Sequence, residues 1–331
     1  LLLSSITEQV NNFYAIHFTR SKTLMGTLNK KRVVDPVLTN LARGYSNNQY
    51  IASTLFPIVE VNKEGGKIPE FTKESFKIYN TERAIRARSN RINPEDRTEI
   101  DFVLTEHDLE YPIDYREAQD DIFPTLAHGT FVVTEGIMLR MEKLAADLAQ
   151  NDANYPTGSK ITLAAGEKFT NFSSDPFSIF KNASESVRMK IAKRPNTCVL
   201  GASSYAALRQ HPAIIERIKY TQKGIITPEL LKSLLDFETL VIGDAVYAND
   251  SGVLSDVWSD NVIVAYVPPR QSDVPRSIYE PSFAYTLRKK NNPVVDKYTE
   301  QGKVQIIRST DLFLNKIVGS DAGYIIKDTN A

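Results

Sequence analysis

Apolar and polar positions follow several different rhythms along this chain, and the changes of rhythm mark its parts. Residues 1–34 show no period: scattered apolar side chains sit among polar ones, and Arg20, Lys22, Lys30, Lys31 and Arg32 face one acid, Glu8. Such a stretch has no core of its own and reads as an arm or, equally well, as a frayed terminus. In the denser residues 35–61, Asp35-Pro36 fits a helix start and Gly44 its end. Phe56-Pro57-Ile58-Val59-Glu60-Val61 then reads as a short strand. After the polar break Lys63-Glu64-Gly65-Gly66-Lys67, the apolar residues Ile68, Phe71, Phe76, Ile78, Tyr79, Ile85 and Ile92 are spread thinly among charges. Residues 98–104 alternate like a half-buried strand. The pattern over 62–104 predicts a long two-stranded excursion that leaves the body and returns. An isolated hairpin is marginal in water, so this one needs another surface to lie on.

The longest helical pattern follows. Val133, Ile137, Met141, Leu144 and Leu148 form one stripe over residues 126–151, with Arg140, Glu142, Lys143 and Asp147 off it. A helix of about 25 residues is about 37 Å long, enough to cross a whole domain as a spine. A second helix is expected over 175–194, capped by Asp175, opened by Pro176 and stopped by Pro195. Its buried face is Phe180, Ala183, Val187 and Ile191; Arg188, Lys190, Lys193 and Arg194 gather at the end where the helix dipole favours cations. Residues 196–267 look α/β. Thr197-Cys198-Val199-Leu200 reads as a buried strand, Ser203 as a cap, Pro212 and Thr227-Pro228 as helix starts, and 239–242 and 261–267 as strands. The tail, 277–328, is mostly strands (283–287 and 304–307 among them) with a turn at Asn291-Asn292-Pro293.

Composition narrows the classes. With 331 residues the chain is long enough to bury a sizeable core, and about two domains are expected. Lys plus Arg is 40 and Asp plus Glu is 40, so the basic excess of a dedicated nucleic-acid binder is missing. One cysteine, Cys198, excludes an internal disulfide and cysteine-rich metal sites. The longest apolar run, Val262 to Val267, is six residues, against the ~20 a membrane span needs. The start, Leu1-Leu2-Leu3-Ser4-Ser5, is too short for a signal-peptide core.

Catalytic chemistry is hard to find. There is no phosphate-binding loop, G-x-G-x-x-G, H-E-x-x-H or G-x-S-x-G. His107-Asp108 beside Glu110 and Asp114 could supply a metal site but reads better as a solvated acidic face. His211 before Pro212 suits a cap, Cys198 an inert core thiol, and Trp258 packing or a contact surface. The one concentrated charge feature is Arg83, Arg86, Arg88 and Arg91. A solvated loop tip, a phosphate site and pairing with carboxylates of a neighbouring chain all fit it.

The ordered set of segments, and particular runs within it, resemble the major capsid proteins of tailed bacteriophages. Those runs are Asp35-Pro36-Val37-Leu38-Thr39-Asn40-Leu41-Ala42 leading to Leu55 through Val61, Leu208-Arg209-Gln210-His211-Pro212 followed by Ile215 through Tyr220, Leu240 through Ala245, Trp258 with Val264 through Val267, and Gly319 through Asp328. Together they span about residues 33–328. The resemblance implies an α+β protein of the Hong Kong 97 phage capsid fold. It would have an N-terminal arm (1–34), the start of a peripheral domain (35–61), an extended β-hairpin loop (62–104), the peripheral domain with a long spine helix (105–195), an axial α/β domain (196–275) and a β-rich return (276–331). It further implies hexamers and pentamers closing into an icosahedral shell around double-stranded DNA, with portal, scaffolding and decoration proteins as partners, in a virion assembled in the host bacterial cytoplasm. Neither enzyme activity nor a cofactor follows from it.

On this reading Arg83, Arg86, Arg88 and Arg91 contact a neighbouring subunit, and Lys30, Lys31, Arg32, Arg188, Lys190 and Lys193 are candidates for DNA on the inner face. The sequence shows no long charged helical segment of a fused scaffold ahead of the arm, so on this reading scaffolding is a separate protein or such a segment has been removed. Lys63, Lys67, Lys73 and Lys77 lie in the loop where some members crosslink, but no motif selects one, so crosslinking is not expected. An encapsulin-like compartment for protein cargo shares the fold and is the second reading. An α/β enzyme with an unrecognised site is the third.

Overall fold

The computed structural model describes residues 50–70, 78, 80–91, 99–116, 125–219, 226–249, 251–270 and 276–330. The expected arm, the helix begun at Asp35-Pro36, and Lys30, Lys31, Arg32, Lys73 and Lys77 lie outside the described residues. Two compact units gather separated stretches of chain: one holds 108–136 and 293–311, the other 46–107, 137–292 and 312–331.

The larger unit opens with a four-residue helix, α1 (Ala52–Leu55), and strand β1 (Ile58–Val61). Strands β2 (Gly65–Pro69) and β3 (Glu99–Val103) then pair antiparallel, from Gly65 opposite Val103 to Pro69 opposite Glu99. This is the base of the expected excursion. Strand β4 (Thr105–Asp114) follows at once, and it was not expected. Its alternating charges and Pro112 hide its strand character.

The spine helix α2 spans Thr125–Gln150, within a residue of the periodicity's prediction. Val133, Ile137 and Met141 are buried as expected, whereas beyond them the fully buried positions are Ala145, Ala146 and Ala149, with Leu144 and Leu148 half-buried. Three alanines on one face let other elements approach the helix axis closely. After the short strand β5 (Lys160–Thr162) comes α3 (Pro176–Ile191). Asp175 caps α3 by accepting from Phe177 N, and Pro176 sits in the first turn. It ends three residues before the expected stop, because Ala192 adopts a left-handed conformation (φ 53°).

The α/β stretch holds β6 (Thr197–Gly201), α4 (Ala202–Gln210), α5 (Pro212–Ile218), α6 (Pro228–Leu234), β7 (Thr239–Gly243), the hairpin β8 (Val246–Ala248) and β9 (Leu254–Asp256), and β10 (Val262–Ala265). Ser203 is no cap: α4 starts one residue earlier, behind Gly201. The tail supplies β11 (Ala284–Lys289), β12 (Val294–Glu300), β13 (Val304–Ile317) and β14 (Gly323–Lys327).

The central sheet runs β5-β14-β10-β6-β7. Its inner strands β14, β10 and β6 are buried on both faces, which is why they read as continuous apolar runs rather than alternations. Cys198, Leu200, Val262, Val264 and Ile326 enter one core with Phe180, Ala183 and Val187 of α3. Val199, Ile263 and Ile325 enter the other, with Phe56, Trp258, Phe283 and the α2 alanines. A second set of strands places β1 parallel to β11, and β11 antiparallel to residues 313–317 of β13.

The smaller unit is built from β12, residues 304–311 of β13, part of β4 and the first half of α2. Strand β12 pairs antiparallel with β13 from Val294 opposite Thr310 to Glu300 opposite Val304. Ile113, Val133, Val295 and Ile307, with Tyr111 and Leu126 against them, form its core.

Candidate assembly interface

The excursion is anchored at one end and bare at the other. Ile68 of β2, Phe102 of β3 and Leu104 are buried with Val59, Tyr285, Leu287 and Val318. Burying each large side chain contributes about 1.5–3 kcal/mol, so the base is fixed to the body. Toward the tip no described residue is covered: residues 80–91 are all exposed, Ile85 to 93%, and Ile78 is completely so.

The tip nonetheless has a defined backbone. Ala87 N donates to Ala84 O (3.1 Å) and Arg86 is left-handed (φ 68°), closing a turn. Asn90 Nδ2 donates to Asn80 O (2.7 Å) and Glu82 O (2.9 Å), and Glu82 N to Asn80 Oδ1 (3.0 Å). Arg83 Nη1 donates to Ala87 O (2.9 Å). The turn thus presents Arg86, Arg88 and Arg91 with Ile85, and none of the three arginines has an ion-pair partner among the described residues. The structure brings the four predicted arginines together on one tip.

The other predicted cations are less available. Arg188 donates through Nε to Glu185 Oε2 (2.6 Å). Lys190 donates to Ser159 Oγ and lies 3.9 Å from Asp321. Lys193 donates to Tyr266 OH (3.3 Å), its ammonium 4.9 Å from the centroid of that ring. All three sit at the α3 C-terminus as expected, but each is tied to its own chain.

Four further residues resolve more sharply than their types suggest. Cys198 is fully buried and burial pushes its thiol pKa up, as suits an inert core group. His211 accepts at Nδ1 from Ala213 N (3.2 Å) and so caps α5. That bond leaves the proton on Nε2, which faces Asn171 O (3.2 Å) and Ser174 Oγ (3.1 Å). Trp258 is 1% exposed, so packing holds rather than a contact surface. Its Nε1 donates to Glu142 Oε1 (2.7 Å). Glu142, set off the stripe by its charge, is itself buried and also accepts from Ile51 N (3.0 Å) and Ala52 N (2.8 Å), the first donors of α1. Burial raises its pKa above the usual carboxylate value, against the three hydrogen bonds that lower it.

Around His107, Asp108 accepts from Thr310 Oγ1 (2.8 Å) and Glu110 from Tyr298 OH (2.9 Å). Among the described residues no group of three or more His, Cys, Asp or Glu is placed to hold a metal ion, and no helix is long and apolar enough to cross a membrane.

Known proteins resemble this chain closely. A family model described as phage major capsid protein E matches residues 21–297. A protein named major capsid protein, from Burkholderia phage BcepMu, is 54% identical over 306 residues, covering 92% of this chain and all of that one. The crystal structure of a phage-related protein from Bordetella bronchiseptica RB50 is 33% identical with a TM-score of 0.75, covering 90% of this chain and 98% of that one. The capsid structure of cyanophage P-SCSP1u, 10% identical, matches with a TM-score of 0.55 over 84% of this chain and 87% of its own.

Proposed function

The chain belongs to the phage major capsid protein E family, and on that premise we propose that its copies assemble as hexamers and pentamers into an icosahedral shell around the double-stranded DNA of a tailed phage. Its α+β architecture is the Hong Kong 97 phage capsid fold, shared with capsid structures of little sequence identity. Its role is structural. In the proposal, 35–61, 105–195 and 276–331 form the peripheral domain, 196–275 the axial domain, 62–104 the loop and 1–34 the arm. Portal and scaffolding proteins share the assembly in the host cytoplasm, and decoration proteins are further candidate partners on the shell.

The observation that carries this reading is the excursion: its base is buried, its tip is preset, and Ile85, Arg86, Arg88 and Arg91 on that tip are exposed. Such a tip gains free energy when a neighbouring subunit covers it. Rotationally related subunits bind head-to-tail and form rings where the rotation closes. Individual contacts stay weak and reversible, because each orders some chain, and the shell becomes stable when many act together. Arg83, Arg86, Arg88 and Arg91 are proposed as contacts to a neighbour. Lys30, Lys31, Arg32, Arg188, Lys190 and Lys193 are proposed to meet DNA without sequence readout.

Electron microscopy of the expressed protein in negative stain tests the shell. Uniform closed particles tens of nanometres wide are expected. A folded chain that stays a solitary monomer at high concentration would refute the proposal.

A further inference from the structure

We propose that Asn90, with Asn80, is a positioning residue for assembly: by caging the loop tip in the lone subunit, the pair sets the concentration at which shells form. The inference rests on the reading of the tip as an inter-subunit contact, and it holds whatever surface receives that tip.

Base and tip are ordered by different means. At the base, the backbones of β2 and β3 pair with each other, and Ile68 and Phe102 are buried beneath them. Residues 80–91 lie in no strand and are all exposed, so neither a ladder nor a core holds them. The bonds that close the tip are drawn from its own side chains instead. The Asn90 amide is an uncharged donor, and its Nδ2 reaches across the loop to both Asn80 O (2.7 Å) and Glu82 O (2.9 Å). That ties the outgoing arm to the returning one. Asn80 Oδ1 accepts from Glu82 N (3.0 Å), a local side-chain bond that bends the outgoing arm.

A turn closes inside this frame. Arg83 Nη1 donates to Ala87 O (2.9 Å), and Ala87 N to Ala84 O (3.1 Å). Arg86 stands at its apex with φ 68°, and a non-glycine residue keeps such a conformation only where its surroundings enforce it. The caging groups are two amides, one guanidinium and backbone, so the cage does not titrate near neutral pH.

Ordering a slack segment on binding costs free energy in every copy that binds. The cage moves that ordering to the folding of the lone subunit, so less remains when subunits join. Its bonds are exposed and compete with water, so losing those of Asn90 shifts the tip toward open forms. The tip buries nothing, however, and adds little to the stability of the body. Assembly and melting should therefore respond differently when the cage is removed, which separates a positioning role from a structural one.

Asn90→Ala in the full-length chain tests this. The concentration at which shells appear, read by light scattering and microscopy, is expected to rise about five- to ten-fold, with the melting temperature of the unassembled chain within about a degree of wild type. Exchange of the Ala87 amide in the unassembled chain should quicken. Asn80→Ala, which loses only the bond to Glu82 N, should raise the threshold less, and Ser89→Ala, next door and outside the cage, not at all. An unmoved threshold or unchanged Ala87 exchange in Asn90→Ala overturns the proposal. So does an equal rise in Ser89→Ala, or a rise accompanied by a fall of several degrees in melting temperature, which is loss of the fold. Arg86→Glu with Arg88→Glu separates the cage from the reading beneath it. If that reversal blocks assembly while Asn90→Ala is silent, only the cage's role falls; if both are silent, the tip is no contact.

Discussion

At the residue scale the informative group is Glu142. Patterning assigns a charged residue to the wet side of a helix, and Arg140, Lys143 and Asp147 follow that rule. Glu142 breaks it, because the first backbone donors of α1 and the indole of Trp258 all need an acceptor in one dry place. Nothing in the local pattern of α2 announces this, since the partners lie 91, 90 and 116 residues away. His211 and Cys198 were legible because their partners are local: a proline one residue on, and an apolar strand around the thiol. Glu142→Ala strands three buried donors at once. It is expected to cost about 3 kcal/mol or more, read as a lower urea midpoint. Glu142→Gln should recover only part of this, since its amide still accepts from Trp258 but turns an NH2 toward a backbone N–H. A Glu142→Ala chain as stable as wild type would show that water replaces the carboxylate.

At the element scale, legibility follows the strength of the period. The spine helix and α3 were found within three residues at each end, because a 3.6-residue stripe over many turns has no competing explanation. The long strands β4 and β13 were missed or cut short. Their polar faces carry Asp108, Glu110, Arg308 and Thr310, which read as loop when the neighbouring strands are unseen. The cations at the end of α3 show the opposite limit. Their clustering was legible, but not that Lys190 and Lys193 already bond to Ser159 and Tyr266. Those bonds fasten α3 to the segment before β5 and to the end of β10. Replacing Lys190 and Lys193 by Gln is therefore expected to lower the melting temperature by a few degrees, by loss of about 1 kcal/mol. Replacing Lys30, Lys31 and Arg32 is expected to lower the DNA content per particle with shell yield unchanged. Equal melting temperatures in the first variant, or lost shells in the second, would refute these assignments.

For the whole molecule, the order of the main helices and strands among the described residues was legible from changes in rhythm, while the gathering of distant stretches into each unit was not. Local pattern carries no information about which strand is whose neighbour. Two groups in the larger unit, half-buried His107 and buried Glu142, set an opposed pH response that depends on that gathering. The His107 ring stacks on Phe313 (centroids 4.2 Å apart, planes 18°), and burial, then the charge of Arg140, holds its pKa below the usual histidine value. A depressed histidine favours the neutral form in the folded chain. Its contribution is complete above the unfolded value of about 6.5 and is lost as pH falls through the folded one. Glu142 is raised, so its contribution is present below the unfolded carboxylate value and is lost as pH rises through the folded one. Falling pH therefore withdraws stability through His107 and returns some through Glu142. His107→Phe keeps an aromatic ring on Phe313 and removes the titration. Urea midpoints of the unassembled chain, measured between about pH 7.5 and pH 5, should fall less for His107→Phe than for wild type. Parallel curves for the two chains would mean that His107 has the same pKa folded and unfolded, and that the stack on Phe313 exerts no hold on its proton.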